Sequence, residues 1–154
     1  VDIARLADSS VKYFAHNPVI SMVSYSNFGT NKEHGPKEVH EAVQILHNNY
    51  PEIVVDGEMQ VHYALNKELR DKTFPFNKLF GKDVNTLVFP NLSAANTIYR
   101  MMLEMGVAEH IGPIQMGLNK PIHFTSIDAS VRDIVNLTTV AVLDAAVLQK
   151  MNNC

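Results

Sequence analysis

The chain has 154 residues, which is long enough for one domain with a sizeable buried core. Apolar residues make up 46% of the chain and charged residues 19%, as in an ordinary globular protein. With 13 basic and 16 acidic side chains, the formal net charge of -3 gives no positive footprint for nucleic acid or an anionic membrane, and we expect neither as a partner.

Two further features of the composition concern the cellular setting. The only cysteine is Cys154, so no disulfide can form within the chain and a reducing compartment is expected. No apolar run reaches the length of a membrane span and no signal segment opens the chain, which together predict a cytoplasmic protein. The chain starts without Met, directly in a helical pattern, and we therefore expect a piece of a longer polypeptide.

The first third of the chain alternates helical and strand-like patterns. Apolar residues at helical spacing predict a helix over residues 2–15, and an apolar, β-branched run predicts a strand over Pro18–Tyr25. A second helix is predicted over Pro36–Asn49, because Pro suits the first turn of a helix. A short strand at Ile53–Val55 follows and is expected to end in the acidic turn at residues 56–58.

The rest of the chain continues this alternation, with weaker signals near residues 111–124. The predicted elements are a helix at Met59–Lys72, a strand at Thr86–Phe89, a helix capped by Asn91 or Ser93, strand-like pieces at Ile111–Leu118 and Ile122–Phe124, and a last helix at about Val131–Met151.

Strands separated by helices predict right-handed βαβ crossovers and an α/β fold, in which helices cover both faces of a mainly parallel sheet in three layers. The carboxyl ends of parallel strands share one edge, where open α/β folds bind ligands. We therefore expect Ser24–Gly29, Asp56–Glu58 and Pro90–Ser93 to line one crevice. The stretch Gly112–Asp133, rich in Gly, Pro and Ser, is expected to form its fourth wall.

The loop after the first strand offers groups that suit an anion. Ser24, Ser26, Asn27 and Gly29 supply hydroxyls and backbone N–H groups near the start of a helix, as phosphate sites do. The same residues also fit a plain strand-to-helix turn, since neither a Walker signature nor a GxGxxG pattern is present.

Two acidic positions have a similar pair of interpretations. Asp56 and Glu58 at a strand end could act as acid, base or metal ligands, or as an ordinary turn and helix cap.

Ser130 and Asp133 have the spacing of a capping box, with Asp in place of the usual Glu. His40 and His47 can share a helix face, but no metal-ligand pair is evident, and we predict no metal site.

Five motifs, read in order, resemble the phosphate acetyl/butyryl transferase family: SYSNFG, VDGEMQ, VFPNLSAAN, GPIQMGLNKP and ASVRDIVN. The resemblance covers about residues 19–143. SNFG together with DGEM is similar to the C-terminal domain of the large, hybrid NADP-dependent malic enzymes. The implied fold is that of phosphotransacetylases and isocitrate dehydrogenase.

The resemblance also implies a function. The longer chain would decarboxylate malate with NADP and a divalent metal, both bound outside the present 154 residues. This part would bind acetyl-CoA, regulate the enzyme and form a homo-oligomer. Residues 1–112 would be most of one domain, and residues 113–154 an arm that packs on a neighbouring domain.

The family's catalytic pattern is only partly kept. Ser126 and Asp133 fall on the family's catalytic Ser and Asp, but Ile127 replaces the Arg that holds the acyl phosphate and Asp128 replaces a Gly. Loss of the guanidinium removes bidentate phosphate binding, and a carboxylate repels phosphate. We therefore expect acetyl-CoA binding with little or no acyl transfer. The expected CoA-binding residues are Ser24, Ser26, Asn27, Gly29, Asn91, Lys120 and Ser126.

Several alternatives remain open at this point. Lys120 could bind a CoA phosphate or be a plain exposed lysine, and Asp133 could be a base or only a cap. The protein could instead be a working phosphate acetyltransferase, or an oligomerisation module that binds no ligand. The apolar face of the last helix is expected to be covered by residues 1–112 or by another copy of the chain; it comprises Ile134, Val135, Leu137, Val140, Ala141 and Val147.

Overall fold

The computed structural model describes residues 1–107 and 109–152, with side chains as far as residue 147. The elements are α1 (Asp2–Tyr13), β1 (Ile20–Val23), α2 (His34–Asn49), β2 (Val55–Met59), α3 (Val61–Leu65), α4 (Lys67–Thr73), β3 (Thr86–Val88), α5 (Leu92–Glu104) and α6 (Val131–Asn152). The chain divides into two compact units, Val1–Arg100 and a second that begins at Met101. The predicted division after residue 112 stays a prediction.

The sheet of the first unit confirms the predicted fold class. Its strand order is β2-β1-β3, and β1 pairs with both neighbours in parallel. In the register, Ile20 lies opposite Val55 on one side and Thr86 on the other. Because all three strands run in the same direction, their carboxyl ends share one edge, as expected from the helical crossovers.

Helices and loops cover both faces of this sheet. On one face, Ala4 of α1 and Val39, Val43 and Leu46 of α2 pack against the apolar side chains of β1, β2 and β3. A second cluster, formed by Met59, Ala64 and Leu79, closes the other face. Strands buried on both sides explain why the sequence shows continuous apolar runs rather than alternation.

The second strand is longer and later than predicted. The acidic residues 56–58 were expected to follow the strand, but β2 runs from Val55 to Met59 and all five of its residues are buried. Buried carboxylates are tolerated where hydrogen bonds satisfy them. Asp56 accepts from the Lys78 N–H at 2.6 Å, and Glu58 is bonded to Gly29 and His40, so both charges can lie inside the sheet.

The predicted helix over Met59–Lys72 is wrong as a single element. The chain forms two short helices, α3 and α4, which meet at Asn66 in an extended conformation. The Asn66 side chain accepts a hydrogen bond from the Leu69 N–H at 2.9 Å, which is an N-cap. The apolar spacing continues through the break and therefore hides it.

In the second unit the last helix is confirmed as α6, whereas the strand-like pieces at 111–118 and 122–124 form no strand. His123 holds part of this segment instead. Its Nδ1 accepts from the Gln115 N–H at 3.2 Å, and its Nε2 lies 2.8 Å from an oxygen of Asp144 in α6. Since Nδ1 accepts, the network places the ring proton on Nε2.

The apolar face of α6 is only partly buried within the chain. Leu137 and Val140 are buried, whereas Ile134 and Val135 are exposed. What covers the exposed part stays a prediction. Among the described residues, no helix combines the length and apolar character needed to cross a membrane.

Candidate functional site

Hydrogen bonds within the loop after β1, and one from Gln60 after β2, hold the loop in place. The Ser26 hydroxyl lies 3.1 Å from the Thr30 hydroxyl and accepts from the Asn31 N–H at 3.0 Å. The Asn27 side chain accepts from the Gln60 N–H at 2.9 Å. Ser24, the first residue of the loop, is buried. This geometry brings four of the predicted residues together at the carboxyl end of β1.

Glu58 supplies an internal anion to this loop. Its side chain is fully buried, and Oε1 accepts from the Gly29 N–H at 2.8 Å. The other oxygen, Oε2, lies 3.1 Å from Nδ1 of His40. The Phe28 N–H donates to the Glu58 carbonyl oxygen at 2.7 Å. An incoming phosphate would have to replace these internal bonds to use the same backbone N–H groups.

Sequence reasoning missed the pairing between α2 and β2. His47 lies 3.7 Å from Asp56 and also bonds the Val55 carbonyl oxygen at 2.9 Å, while His40 pairs with Glu58. Only the helix half of the signal was present, because residues seven apart share a helix face. In β2 the register shifts between Gly57 and Met59, so simple alternation does not place Asp56 and Glu58 on one face. Both carboxylates therefore have structural partners, and among the described residues no three His, Cys, Asp or Glu side chains group as a metal site.

In the second unit, Ser126 and its neighbours lie on the surface. The Ser126 hydroxyl donates to the carboxylate of Asp128, and both side chains are exposed. Ile127 between them has a relative exposure of 107%, so its side chain makes little contact with the chain. Lys120 is exposed as well. The side chain at position 127, where the resemblance places the phosphate-binding Arg, is the uncharged Ile127.

Asp133 forms the predicted capping box with Ser130. Its Oδ2 accepts from the Ser130 hydroxyl at 2.7 Å and from the Ser130 N–H at 3.0 Å, and its own N–H donates back to the hydroxyl at 3.2 Å. The Ser130 hydroxyl, followed by the Ser130 N–H, lowers the pKa of the Asp133 carboxyl below its ordinary value of 3.8. The other carboxylate oxygen of Asp133, Oδ1, lies 3.6 Å from Nε2 of His110. The capping role is thus confirmed.

Asn91 also has a local role. Its side chain accepts from the Ala94 N–H at 2.9 Å, so Asn91 is the N-cap of α5. The candidate residues therefore fall on both units: Ser24, Ser26, Asn27, Gly29 and Asn91 lie on the first, and Lys120, Ser126 and Asp133 lie on the second.

Comparison with known proteins settles the family. A family model described as phosphate acetyl/butaryl transferase matches residues 1–142. The chain belongs to this family. The match confirms the resemblance that the five motifs indicated, and it covers all of the first unit and the second unit as far as residue 142.

Relatives in this family include two classes of enzyme. The chain is 35% identical over 144 residues to a NADP-dependent malic enzyme of Haemophilus influenzae and 33% identical over 147 residues to a phosphate acetyltransferase of Bacillus subtilis. Each alignment includes 94% of this chain. It includes only 19% of the malic enzyme and 45% of the acetyltransferase. The chain therefore spans a fifth to under a half of the length of these relatives.

A solved structure shows the same fold. The EutD phosphotransacetylase from Staphylococcus aureus aligns with a TM-score of 0.84 and 32% identity, over 92% of this chain and 44% of that protein. The chain is thus similar to part of a phosphotransacetylase and to the corresponding part of malic enzymes.

Proposed function

We propose that this chain is a phosphotransacetylase-like domain of a malic enzyme that binds acetyl-CoA and carries out little or no acyl transfer. In this proposal the longer chain decarboxylates malate with NADP and a divalent metal, in the cytoplasm, and the present domain regulates it and supports a homo-oligomer. The observation that carries the proposal is Ile127, a fully exposed aliphatic side chain where the resemblance implies the Arg that holds an acyl phosphate.

The surroundings of Ile127 support the absence of transfer. Phosphoryl groups are held by cations and N–H donors, and position 127 has neither a guanidinium nor an ammonium group. The next side chain, Asp128, is an anion that accepts the hydrogen bond of the Ser126 hydroxyl. Both features weaken the binding of a phosphate beside Ser126.

The state of Asp133 supports the same conclusion. In the family this position is proposed to help activate the CoA thiol. Here the Ser130 hydroxyl and N–H occupy one carboxylate oxygen and hold the pKa of Asp133 low. A carboxylate with a lowered pKa is a weaker base toward a thiol.

The test uses the full-length protein in two assays. Calorimetry with acetyl-CoA is expected to give saturable binding, and a thiol-release assay with acetyl-CoA and inorganic phosphate is expected to stay at background. Ile127→Arg combined with Asp128→Gly introduces the family's residues at these two positions and should raise thiol release if these positions are what blocks transfer. Ile122→Arg, at another exposed aliphatic residue of the same unit, is the matched control.

The other two candidate functions predict different results. Thiol release by the unmodified protein well above background would identify a working phosphate acetyltransferase. If acetyl-CoA does not bind, the remaining candidate function is an oligomerisation module without a ligand. A change in the rate of malate decarboxylation on addition of acetyl-CoA would support the regulatory role, and an unchanged rate in the presence of binding would contradict it.

A further inference from the structure

A small pocket of about 200 Å³ lies beside β2 in the first unit. It is lined by the end of α2, the residues that lead into β2, and the loop between α4 and β3, which contribute His47, then Pro51 and residues 53–55, then Lys78 and Lys82. Val55 is the first residue of β2. The pocket therefore lies at the start of an outer strand, whereas the loop Ser24–Gly29 lies at the carboxyl edge of the sheet.

The pocket combines an apolar wall with two positive charges. Ile53 and Val55 are buried and form part of the wall, while Lys78 and Lys82 are exposed. Within the described part of the chain, neither lysine ammonium group forms an ion pair. Unpaired ammonium groups beside an apolar wall suit a ligand that carries both negative charge and hydrocarbon.

Buried side chains hold the backbone of both lysines. The Lys78 N–H donates to Oδ2 of Asp56 at 2.6 Å, and the Lys82 carbonyl oxygen accepts from Nη2 of Arg70 at 2.6 Å. Asp56 is 5% exposed and Arg70 is fully buried. The core thus fixes the point from which each lysine side chain extends, which lowers the entropic cost of binding a ligand.

The acidic residues next to the lining residues in sequence do not neutralise the two lysines. Asp56 does not line the pocket, and its Oδ1 lies 3.7 Å from Nε2 of His47. Asp83 pairs with Lys67 at 3.0 Å. Glu52 is exposed and does not line the pocket either. Because none of the lining residues is acidic, the two ammonium groups leave the pocket positive.

The size of the pocket sets the size of the ligand. Sites for drug-sized molecules have volumes of roughly 300 to 1,000 Å³. A pocket of about 200 Å³ is too small for a molecule such as acetyl-CoA and suits a short organic acid. Two ammonium groups match two carboxylates, and the apolar wall matches the hydrocarbon between them.

We propose that this pocket binds a short-chain dicarboxylate. Its carboxylates lie at Lys78 and Lys82, and its hydrocarbon part lies against residues 53–55. This binding site goes beyond the proposed function and does not depend on it, because its residues are separate from those proposed to bind acetyl-CoA.

The experiment is hydrogen–deuterium exchange on the full-length protein with three probes: succinate, butyrate, which has one carboxylate, and inorganic phosphate, which has no hydrocarbon. Succinate is expected to raise the protection of peptides that cover residues 50–56 and 76–83. Butyrate and phosphate at the same concentration should raise it less. Exchange locates the bound probe, which matters because the malate site proposed for the longer chain could also take a dicarboxylate.

Two variants remove one positive charge each and keep a long polar side chain: Lys78→Gln and Lys82→Gln. Each should raise the succinate concentration for half-maximal protection by roughly tenfold, the value of one charge-assisted hydrogen bond. Lys72→Gln is the matched control, since Lys72 is an exposed lysine of α4 that does not line the pocket. It should leave the succinate response unchanged. Without ligand, β1 should be equally protected in all three variants, which shows that they fold.

Four outcomes would overturn the proposal. They are an equal loss in Lys72→Gln, which would reflect net charge alone; protection by phosphate as strong as that by succinate; succinate protection only outside residues 50–56 and 76–83; and loss of acetyl-CoA binding in Lys78→Gln, which would make the pocket part of the acetyl-CoA site.

The proposed function is tested separately by acetyl-CoA calorimetry on the same proteins. If the unmodified protein does not bind acetyl-CoA but shows succinate protection that depends on Lys78, the proposed function is contradicted and the dicarboxylate site is supported. If acetyl-CoA binds and succinate protects neither peptide, the dicarboxylate site alone is wrong.

Discussion

The two parts of the chain that carry the candidate residues are held in different ways. The loop Ser24–Gly29 is fixed from outside by Glu58 and Gln60, which are about thirty residues distant in sequence. The turn Ser126–Asp133 is fixed from within, since Ser126 bonds Asp128 and Ser130 bonds Asp133. The first region is held by tertiary hydrogen bonds, and the second is held by local hydrogen bonds on the surface.

This difference determines what each region can lose without unfolding. Glu58, the main partner of the first loop, is fully buried, so its loss leaves buried polar groups unpaired. The second turn is exposed, so water replaces a lost hydrogen bond at small cost. The proposed loss of the family's Arg at position 127 falls in the exposed turn, where a substitution costs little stability. A substitution of Glu58, which anchors the first loop, is expected to cost much more stability.

The largest expected effect is that of Glu58→Ala. The change removes the acceptor of the Gly29 N–H and the partner of His40 and leaves a cavity in a fully buried position. We expect a loss of about 3 kcal/mol in the free energy of unfolding, measured with urea. Glu52→Ala, at an exposed acidic residue of the same unit, should change it by less than about 0.5 kcal/mol. Similar values for the two variants would contradict the tertiary anchoring of the loop.

Gly29→Ala tests the same loop with a smaller change. Gly29 has a φ of +78°, and an added Cβ would lie 3.7 Å from the His40 ring, which is an ordinary contact. The cost should therefore come from the left-handed conformation alone, about 1–2 kcal/mol. Gly35→Ala in α2 meets no atom within 4 Å and should be neutral or stabilising. A loss well above 2 kcal/mol in Gly29→Ala would mean that the His40 contact is tighter than the structure shows.

Ser130→Ala probes the local region. It removes the hydroxyl that accepts from the Asp133 N–H, and the usual cost of losing such a cap is about 1 kcal/mol. In a hydrogen-exchange experiment, the amide protection of residues 131–134 at the start of α6 should decrease, while the amides of β1 and β2 stay protected. Loss of protection throughout the first unit would show that the turn is coupled to the rest of the chain more tightly than its local bonds indicate.

The sequence predicted most of the helices and the class of the sheet because these follow from local periodicity. The C-terminal end of α2, the choice of Asn91 or Ser93 as the cap of α5 and the capping box at Ser130 were all readable within four residues. What escaped prediction depends on distant partners. Acidic residues and Gly are typical of turns, so the sequence predicts a turn at 56–58. Only the contacts with His40, Lys78 and Gly29 make a buried strand possible there.

The candidate site follows the same rule. The Ser130–Asp133 cap was predicted because its spacing is local, whereas the Glu58 anchor of Ser24–Gly29 was not. The break between α3 and α4 was missed for a related reason, since one residue, Asn66, overrides an apolar pattern that continues on both sides. The ring contacts of Phe28 with Phe74 and Phe76 join residues almost fifty positions apart, a separation that no spacing rule within one element covers.

The smallest expected effect is a change with pH at the exposed turn. The Ser130 hydroxyl and N–H lower the pKa of Asp133, and His110 and Arg132 contribute in the same direction. Because the folded pKa is below the unfolded one, the stabilisation is complete above about pH 4 and is lost as the pH falls through the folded pKa. NMR titration of the Asp133 carboxyl carbon should give a midpoint below 3.8, and Ser130→Ala should move it upward toward that value. If the midpoint is the same in both proteins, the cap does not set the pKa of Asp133, and the Ser130 hydrogen bonds do not make Asp133 a weaker base toward the CoA thiol.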